Sequence, residues 1–269
     1  AVRDTAQSLQ ADGFEVLLHP VGADGLVSLD LLKAAIDDRT ALVAVMLVNN
    51  EIGVIQPVEA IADLAHQAGA LMLCDTVQGY GRVPIPANVD MAALSAHKIH
   101  GPKGVGALWV RDGLDLPPLI HGGGQEKGVR SGTLSPALCT GLGVAAKLCV
   151  DHMDEDLDHV RALATMARDA FPGWTINGST EHRYSGNLNI RRDGLDVARL
   201  MSEVRGVAFS AGSAGASGSG RPSHVLAALG LERDQIKSSI RLGFGRYTTA
   251  EDILAAAQLI NQAAEAQMS

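Results

Sequence analysis

Thr40-Ala-Leu-Val-Ala-Val-Met-Leu-Val48 runs into Asn49-Asn50-Glu51, Gly53 and Pro57, and after a further stretch comes Ala70-Leu-Met-Leu-Cys74-Asp75. The first run is continuously apolar, the pattern of a strand buried on both faces of a parallel sheet. Pro57 opens a helix whose apolar positions Ile61, Leu64, Ala65 and Ala68 keep helical spacing, and Gly69 ends it. The second run is another buried strand, closing on Asp75. Strand, helix and strand in this order predict a right-handed crossover and a mostly parallel sheet, hence an α/β protein. Ligands of such sheets gather at the carboxyl ends of the strands. Asn50 and Asp75 both fall there.

Further along, Ala93-Leu-Ser-Ala-His97-Lys98-Ile-His-Gly101-Pro-Lys-Gly104-Val-Gly-Ala-Leu-Trp-Val110 reads as a short apolar strand, a polar turn, a glycine bend and a second apolar strand. Lys98 sits where a buried segment meets the turn, a third strand-end residue beside Asn50 and Asp75. A partly desolvated amine there is the nucleophile that a Schiff-base lysine must be; the alternative is a solvated charge. An aspartate one strand away from such a lysine is the arrangement that pyridoxal phosphate enzymes use, the carboxylate keeping the pyridine nitrogen protonated so that the ring acts as an electron sink.

Upstream, Ala1 to Gly13 has the body of an amphipathic helix with a glycine stop and no initiator methionine or cap, which suggests a start inside a larger protein. Phe14–Pro20 reads as a strand, and Ser28 caps a helix over Leu29–Asp37. Downstream, His121-Gly-Gly-Gly124-Gln125-Glu126 and Arg130-Ser131-Gly132-Thr133 suit a loop meeting an anion, or a plain surface loop. A long helical segment follows from Ser135 to Ala170, with charges massed over Asp151–Asp158. The boundary is set there: a large domain at 1–150 and a smaller α+β domain at 151–269. The latter alternates strands near Trp174–Asn177, Asn187–Ile190 and Ser238–Gly245 with helices near Val197–Val204 and Pro222–Leu229 and one capped by Thr249. Between them, 209–222 is a stretch of tiny residues expected to be mobile.

Composition sets outer limits. The 269 residues are 46% hydrophobic but only 3% aromatic, so the core is built from Ala, Val, Leu and Ile. Net charge is −8, from 22 basic against 30 acidic residues, which argues against nucleic acid or an anionic membrane as partner. No run approaches a membrane span. Cys74, Cys139 and Cys149, unevenly spread, point to a reducing compartment, taken as the cytoplasm, and to core packing rather than disulfides. His152 and His159 lie seven apart, but no acidic or histidine partners complete a metal-ligand spacing.

Taken together, Asn49-Asn-Glu-Ile-Gly-Val-Ile-Gln-Pro57, Asp75-Thr-Val-Gln78, Ser95-Ala-His-Lys98-Ile-His-Gly-Pro-Lys-Gly-Val-Gly106, His121–Glu126, Arg130–Thr133, Pro222–Gly230 and Ser238-Ser-Ile-Arg241 closely resemble the cysteine desulfurases of iron–sulfur cluster assembly. These are class V aminotransferase-type pyridoxal phosphate enzymes. The resemblance covers essentially the whole chain. It implies the aspartate aminotransferase type I fold, conversion of L-cysteine to L-alanine with sulfur transfer to an acceptor or iron–sulfur scaffold, and a homodimer. It also implies roles: Lys98 anchors the cofactor, Asp75 pairs with its ring nitrogen and Gln78 with its phenolic oxygen. Ser95 and His97 contact its phosphate, Thr133 reaches the phosphate of the partner subunit's cofactor, and Asn50 and Arg241 hold the substrate carboxylate.

Two departures stand out. Where the family carries its nucleophilic cysteine in a Gly-Ser-Ala-Cys loop, this chain reads Gly212-Ser213-Ala214-Gly215, and Gly215 has no side chain to carry a persulfide. Family members also begin with a further stretch supplying a ring-stacking histidine and a glycine-threonine phosphate loop, which this sequence lacks. The readings left open are a desulfurase-like protein, a pyridoxal phosphate enzyme with lyase or transaminase chemistry, and a catalytically silent homologue acting as a binding subunit.

Overall fold

The computed structural model describes residues 1–212 and 222–269. Gly215 and most of the segment expected to be mobile lie outside the described residues. In chain order the elements are α1 (Val2–Ser8), α2 (Leu29–Ala35), β1 (Leu42–Met46), α3 (Val58–Gln67), β2 (Leu71–Asp75), β3 (Met91–Ser95), β4 (Gly106–Val110), α4 (Pro136–Asp151) and α5 (Met153–Ala170). Then come β5 (Thr175–Ile176), β6 (Asn187–Arg191), α6 (Val197–Glu203), β7 (Ser210–Ala211), α7 (His224–Ala228), α8 (Arg233–Lys237), β8 (Ser239–Gly243) and α9 (Ala250–Met268). They form two compact units, one of residues 37–47 and 58–153, the other of residues 1–36, 48–57 and 154–269.

The first unit is built on a sheet of order β1-β2-β3-β4, with β1, β2 and β3 parallel and β4 antiparallel. Helix α3 lays Val58, Ile61, Ala62 and Ala65 against β1 and β2, and all four are buried. Each large aliphatic side chain so buried is worth about 1.5–3 kcal/mol. The crossover predicted over 40–75 is therefore present. One expectation fails: β1 is not buried on both faces. It ends the sheet, and while Val43 is buried, Leu42 and Ala44 on the opposite face are exposed. Apolar content alone does not distinguish an end strand from a central one.

The second unit carries an antiparallel sheet of order β5-β6-β8-β7. Side chains alternate across it. Leu188, Ile190, Ile240 and Leu242 face a core completed by Val160, Leu163 and Ala167 of α5, Leu200 of α6, and Ile253 and Ile260 of α9. Asn187, Asn189, Ser239 and Arg241 occupy the other face. Thr249 caps α9 in a reciprocal capping box with Asp252, as its position in the sequence suggested.

Two further expectations are revised. Phe14–Pro20 forms no strand: a strand needs a neighbouring strand for its backbone groups, none pairs with this segment among the described residues, and Phe14, Leu17 and Leu18 are exposed. The segment Ser135–Ala170 is two helices, broken at His152, whose ψ of 14° leaves the helical range.

Candidate active site

In the first unit, Asp75 closes β2 and Ser95 closes β3, with Asp75 opposite Ala93 in the parallel register. A 3₁₀ turn, Ala96–Ile99, follows at once. Residues three apart eclipse in such a turn. Here Ala96 and Ile99 are the buried pair, Ile99 packing with Ala145 and Cys149, so His97 and Lys98 are turned outward. Gly101 N–H donates to the Ala96 carbonyl at 2.9 Å and Ala96 N–H to Val105 at 3.1 Å, pinning the turn at both ends. Lys98 is half-buried, and its amine has no hydrogen bond or ion pair among the described residues. Ser95 Oγ and His97 Nδ1 are hydrogen-bonded at 2.9 Å.

The loop after β2 is equally fixed. Thr76 is buried, and both its N–H and its hydroxyl donate to the Ala93 carbonyl of β3. Asp75 Oδ1 accepts from Val77 N–H at 3.0 Å, which orients the carboxylate. Gly79 lets the turn approach the sheet: a Cβ there would stand 2.7 Å from Leu47 Cδ2. Arg82 then bridges two loops, donating to the Gln78 backbone and side-chain oxygens and to the Lys98 carbonyl. Sequence reading missed Arg82; its spacing of four from Gln78 was the available signal.

Thr133 is exposed, in the segment leading to α4. The glycine loop before it is held by its own side chains. Ser131 Oγ accepts from Gly124 N–H, Gln125 Oε1 accepts from Gly132 N–H, and Glu126 and Lys127 take left-handed φ of 51° and 55°.

In the second unit Asn50 and Arg241 are brought together: an Arg241 Nη donates to the Asn50 carbonyl at 3.0 Å. Asn49 Oδ1 accepts from the N–H groups of Glu51 and Ile52, and Gly53 turns the chain with φ +72°, so Asn49–Gly53 is a fixed turn. It lies over the polar face of the sheet, where Asn187 Nδ2 donates to Asn50 O and Asn189 Nδ2 to Glu51 O. Burial lowers the Arg241 pKa, partly offset by the negative Glu51. Two buried acceptors on that face, Asn187 Oδ1 and Ser210 Oγ, have no partner among the described residues, and Ser210 pairs with Arg241 across β7 and β8.

None of the three cysteines is disulfide-bonded. Cys74 and Cys149 are buried and Cys139 half-buried. Burial, with Asp75 alongside, pushes the Cys74 thiol up to about 12. Among the described residues no group of three His, Cys, Asp or Glu is placed to hold a metal ion, and no helix is long and apolar enough to cross a membrane.

The family model for class-V aminotransferases matches residues 1–255. The chain belongs to the class-V aminotransferase family. That family is pyridoxal phosphate-dependent, and its fold is the type I transferase fold expected from the sequence. Among curated relatives, cysteine desulfurase IscS of Rickettsia bellii is 42% identical over 268 residues, 96% of this chain and 65% of that protein. The probable mitochondrial cysteine desulfurase of Schizosaccharomyces pombe is 44% identical over 260 residues, 94% of this chain and 52% of that protein. This class-V chain thus spans about one half to two thirds of the length of these relatives. A solved NifS-like protein superposes with a TM-score of 0.89 at 32% identity, covering 97% of this chain and 71% of that one. A solved SspA in complex with cysteine superposes at 0.79 with 33% identity, covering 92% and 71%.

Proposed function

We propose that this chain serves a pyridoxal phosphate-dependent cysteine desulfurase-type reaction, taking L-cysteine toward L-alanine and passing sulfur toward iron–sulfur or thio-cofactor assembly. The observation that carries the reading is the half-buried, unpartnered Lys98 amine directly after β3, one strand from Asp75. The donor chemistry fits the cofactor group by group. A primary amine meets an aldehyde, a carboxylate a pyridinium nitrogen, an amide a phenolic oxygen, and a paired hydroxyl and imidazole a phosphate. Bound, pyridoxal phosphate supplies an electron sink for charge developing at the substrate Cα.

The chain's own residues divide the rest of the work. Asp75, oriented by Val77 N–H, holds a proton on the ring nitrogen. Ser95 and His97 offer a hydroxyl and an imidazole already hydrogen-bonded to each other, so little ordering is needed to receive an anion. Lys98 anchors the cofactor and is the base placed to move the Cα proton. Arg241 carries the positive charge for an amino-acid carboxylate. By resemblance Thr133 serves the cofactor of a second copy, which makes a homodimer the working form, and the cytoplasm is its proposed compartment.

A second reading is favoured by Gly215, which stands where the family places its nucleophilic thiol. Without a thiol there, cysteine and water would give pyruvate, ammonia and sulfide by elimination, or nothing would turn over and the chain would act as a binding subunit. The test is to incubate the protein with pyridoxal phosphate and L-cysteine and assay alanine, sulfide and pyruvate. Alanine formation, raised by Gly215→Cys and abolished by Lys98→Ala, supports the desulfurase reading. Pyruvate in its place supports the lyase. A cofactor-free protein with no turnover and an unlabelled Lys98 after borohydride reduction defeats both.

A further inference from the structure

Arg82 lies outside every residue set assigned above, yet its guanidinium spans the two loops that present the cofactor ligands. One Nη donates to the Gln78 backbone carbonyl at 3.1 Å and to Gln78 Oε1 at 2.9 Å; the other donates to the Lys98 carbonyl at 2.6 Å. A guanidinium has donors only. The Gln78 amide facing it must therefore present Oε1, and its two Nε2 protons must point elsewhere. Among the described residues those protons have no partner. They are left as a donor pair on the side of the amide away from Arg82, the polarity that a phenolic oxygen requires.

Resting on the functional reading above, we infer that Arg82 is a positioning residue: it fixes which way round the Gln78 amide sits and ties that amide to the Lys98 turn. A neutral side chain at position 82 would free the amide to rotate and to turn Oε1, an acceptor, toward the ring oxygen. A donor on that oxygen favours its charged form and loosens the neighbouring proton; loss of the donor holds the proton more tightly.

The experiment compares wild type with Arg82→Met and Arg82→Lys, each tested alone and in a Gln78→Leu background. In cofactor-free protein, the Gln78 side-chain amide signals in nitrogen-15 NMR should be dispersed in wild type. They should collapse toward averaged positions in Arg82→Met and remain dispersed in Arg82→Lys. In protein reconstituted with pyridoxal phosphate, the pH at which the visible band titrates should rise by about one unit in Arg82→Met. It should stay near wild type in Arg82→Lys, and Arg82→Met should add no shift once Gln78 is Leu. Unchanged Gln78 signals in Arg82→Met, or a shift that persists undiminished in the Gln78→Leu background, overturns the inference. A wild-type protein with no cofactor band overturns the functional reading instead, and is told apart because the cofactor-free NMR still reports on the amide.

Discussion

Ser223 donates its hydroxyl proton to Glu51 Oε2 across 2.5 Å, joining the N-cap of α7 to the Asn49–Gly53 turn that presents Asn50. Glu51 is a buried carboxylate, 6% exposed. Burial pushes its pKa up by more than the Ser223 hydrogen bond and the charges of His224 and Arg241 bring it down. The folded state therefore holds the proton more tightly than the unfolded chain. Stability from this group is full below the ordinary value of 4.5 and is lost as pH rises through the raised native value. Glu51→Gln keeps an acceptor for Ser223 and removes the titration. Its melting temperature should fall less than that of wild type between pH 4.5 and neutrality; parallel melting curves across that range would refute the assignment.

Asp90 shows the opposite sign. Its side chain is fully buried at the head of β3, hydrogen-bonded by Met72 N–H at 2.7 Å, Arg111 Nε at 2.7 Å and His66 Nε2 at 2.8 Å. Burial alone would raise its pKa, but the bonds from His66, Met72 and Arg111 together outweigh it and hold the carboxyl below 3.8. Stability from Asp90 is thus present above 3.8 and lost as pH falls through the lowered native value. Asp90→Asn, which removes one buried acceptor from the Met72, His66 and Arg111 donors while leaving a half-exposed arginine, should cost about 1–3 kcal/mol in urea unfolding at pH 7. A loss under about 0.5 kcal/mol, the scale of an exposed ion pair, would mean the cluster is loosely held.

Cys74 tests whether another thiol stands in for position 215. A pKa pushed up to about 12 leaves about one thiol in ten thousand ionised at pH 8. Maleimide at pH 8 should label the half-buried Cys139 and leave Cys74 untouched until the protein is unfolded, as peptide mass mapping would read directly. Labelling of Cys74 at a rate comparable to Cys139 would reopen its candidacy.

What the sequence made legible was the chemistry at strand ends. Asp75 and Lys98 were located because a buried strand must stop somewhere, and a polar residue at that stop is conspicuous. Glu51 and Asp90 were not legible, because their meaning lies in partners 172 and 24 positions away, and the spacing of Arg82 from Gln78 says nothing of its second bond, to Lys98 16 positions on. Periodicity also misjudged β1 and Phe14–Pro20: an apolar run signals extended chain, whereas the number of neighbours it acquires is decided by the rest of the sheet. Asn187 and Asn189 read as ordinary strand residues. Only the pairing of β6 with β8 reveals a polar face around Arg241.

Arg241 gives the sharpest test of the carboxylate assignment. Its hydrogen bond to Asn50 O occupies one Nη and fixes the plane of the guanidinium, leaving the remaining donors for a ligand. Planarity and the two-pronged donor edge are what lysine lacks. Arg241→Lys preserves the charge but loses one of two charge-assisted bonds, each worth about 1.5–3 kcal/mol. KM for L-cysteine should therefore rise about 10–100-fold, with kcat changed far less, because the bond is made alike in ground and transition states. On the proposed assignment to the substrate, affinity for pyridoxal phosphate should be unaltered. Equal loss of cofactor binding and substrate affinity would show that Arg241 supports the fold instead.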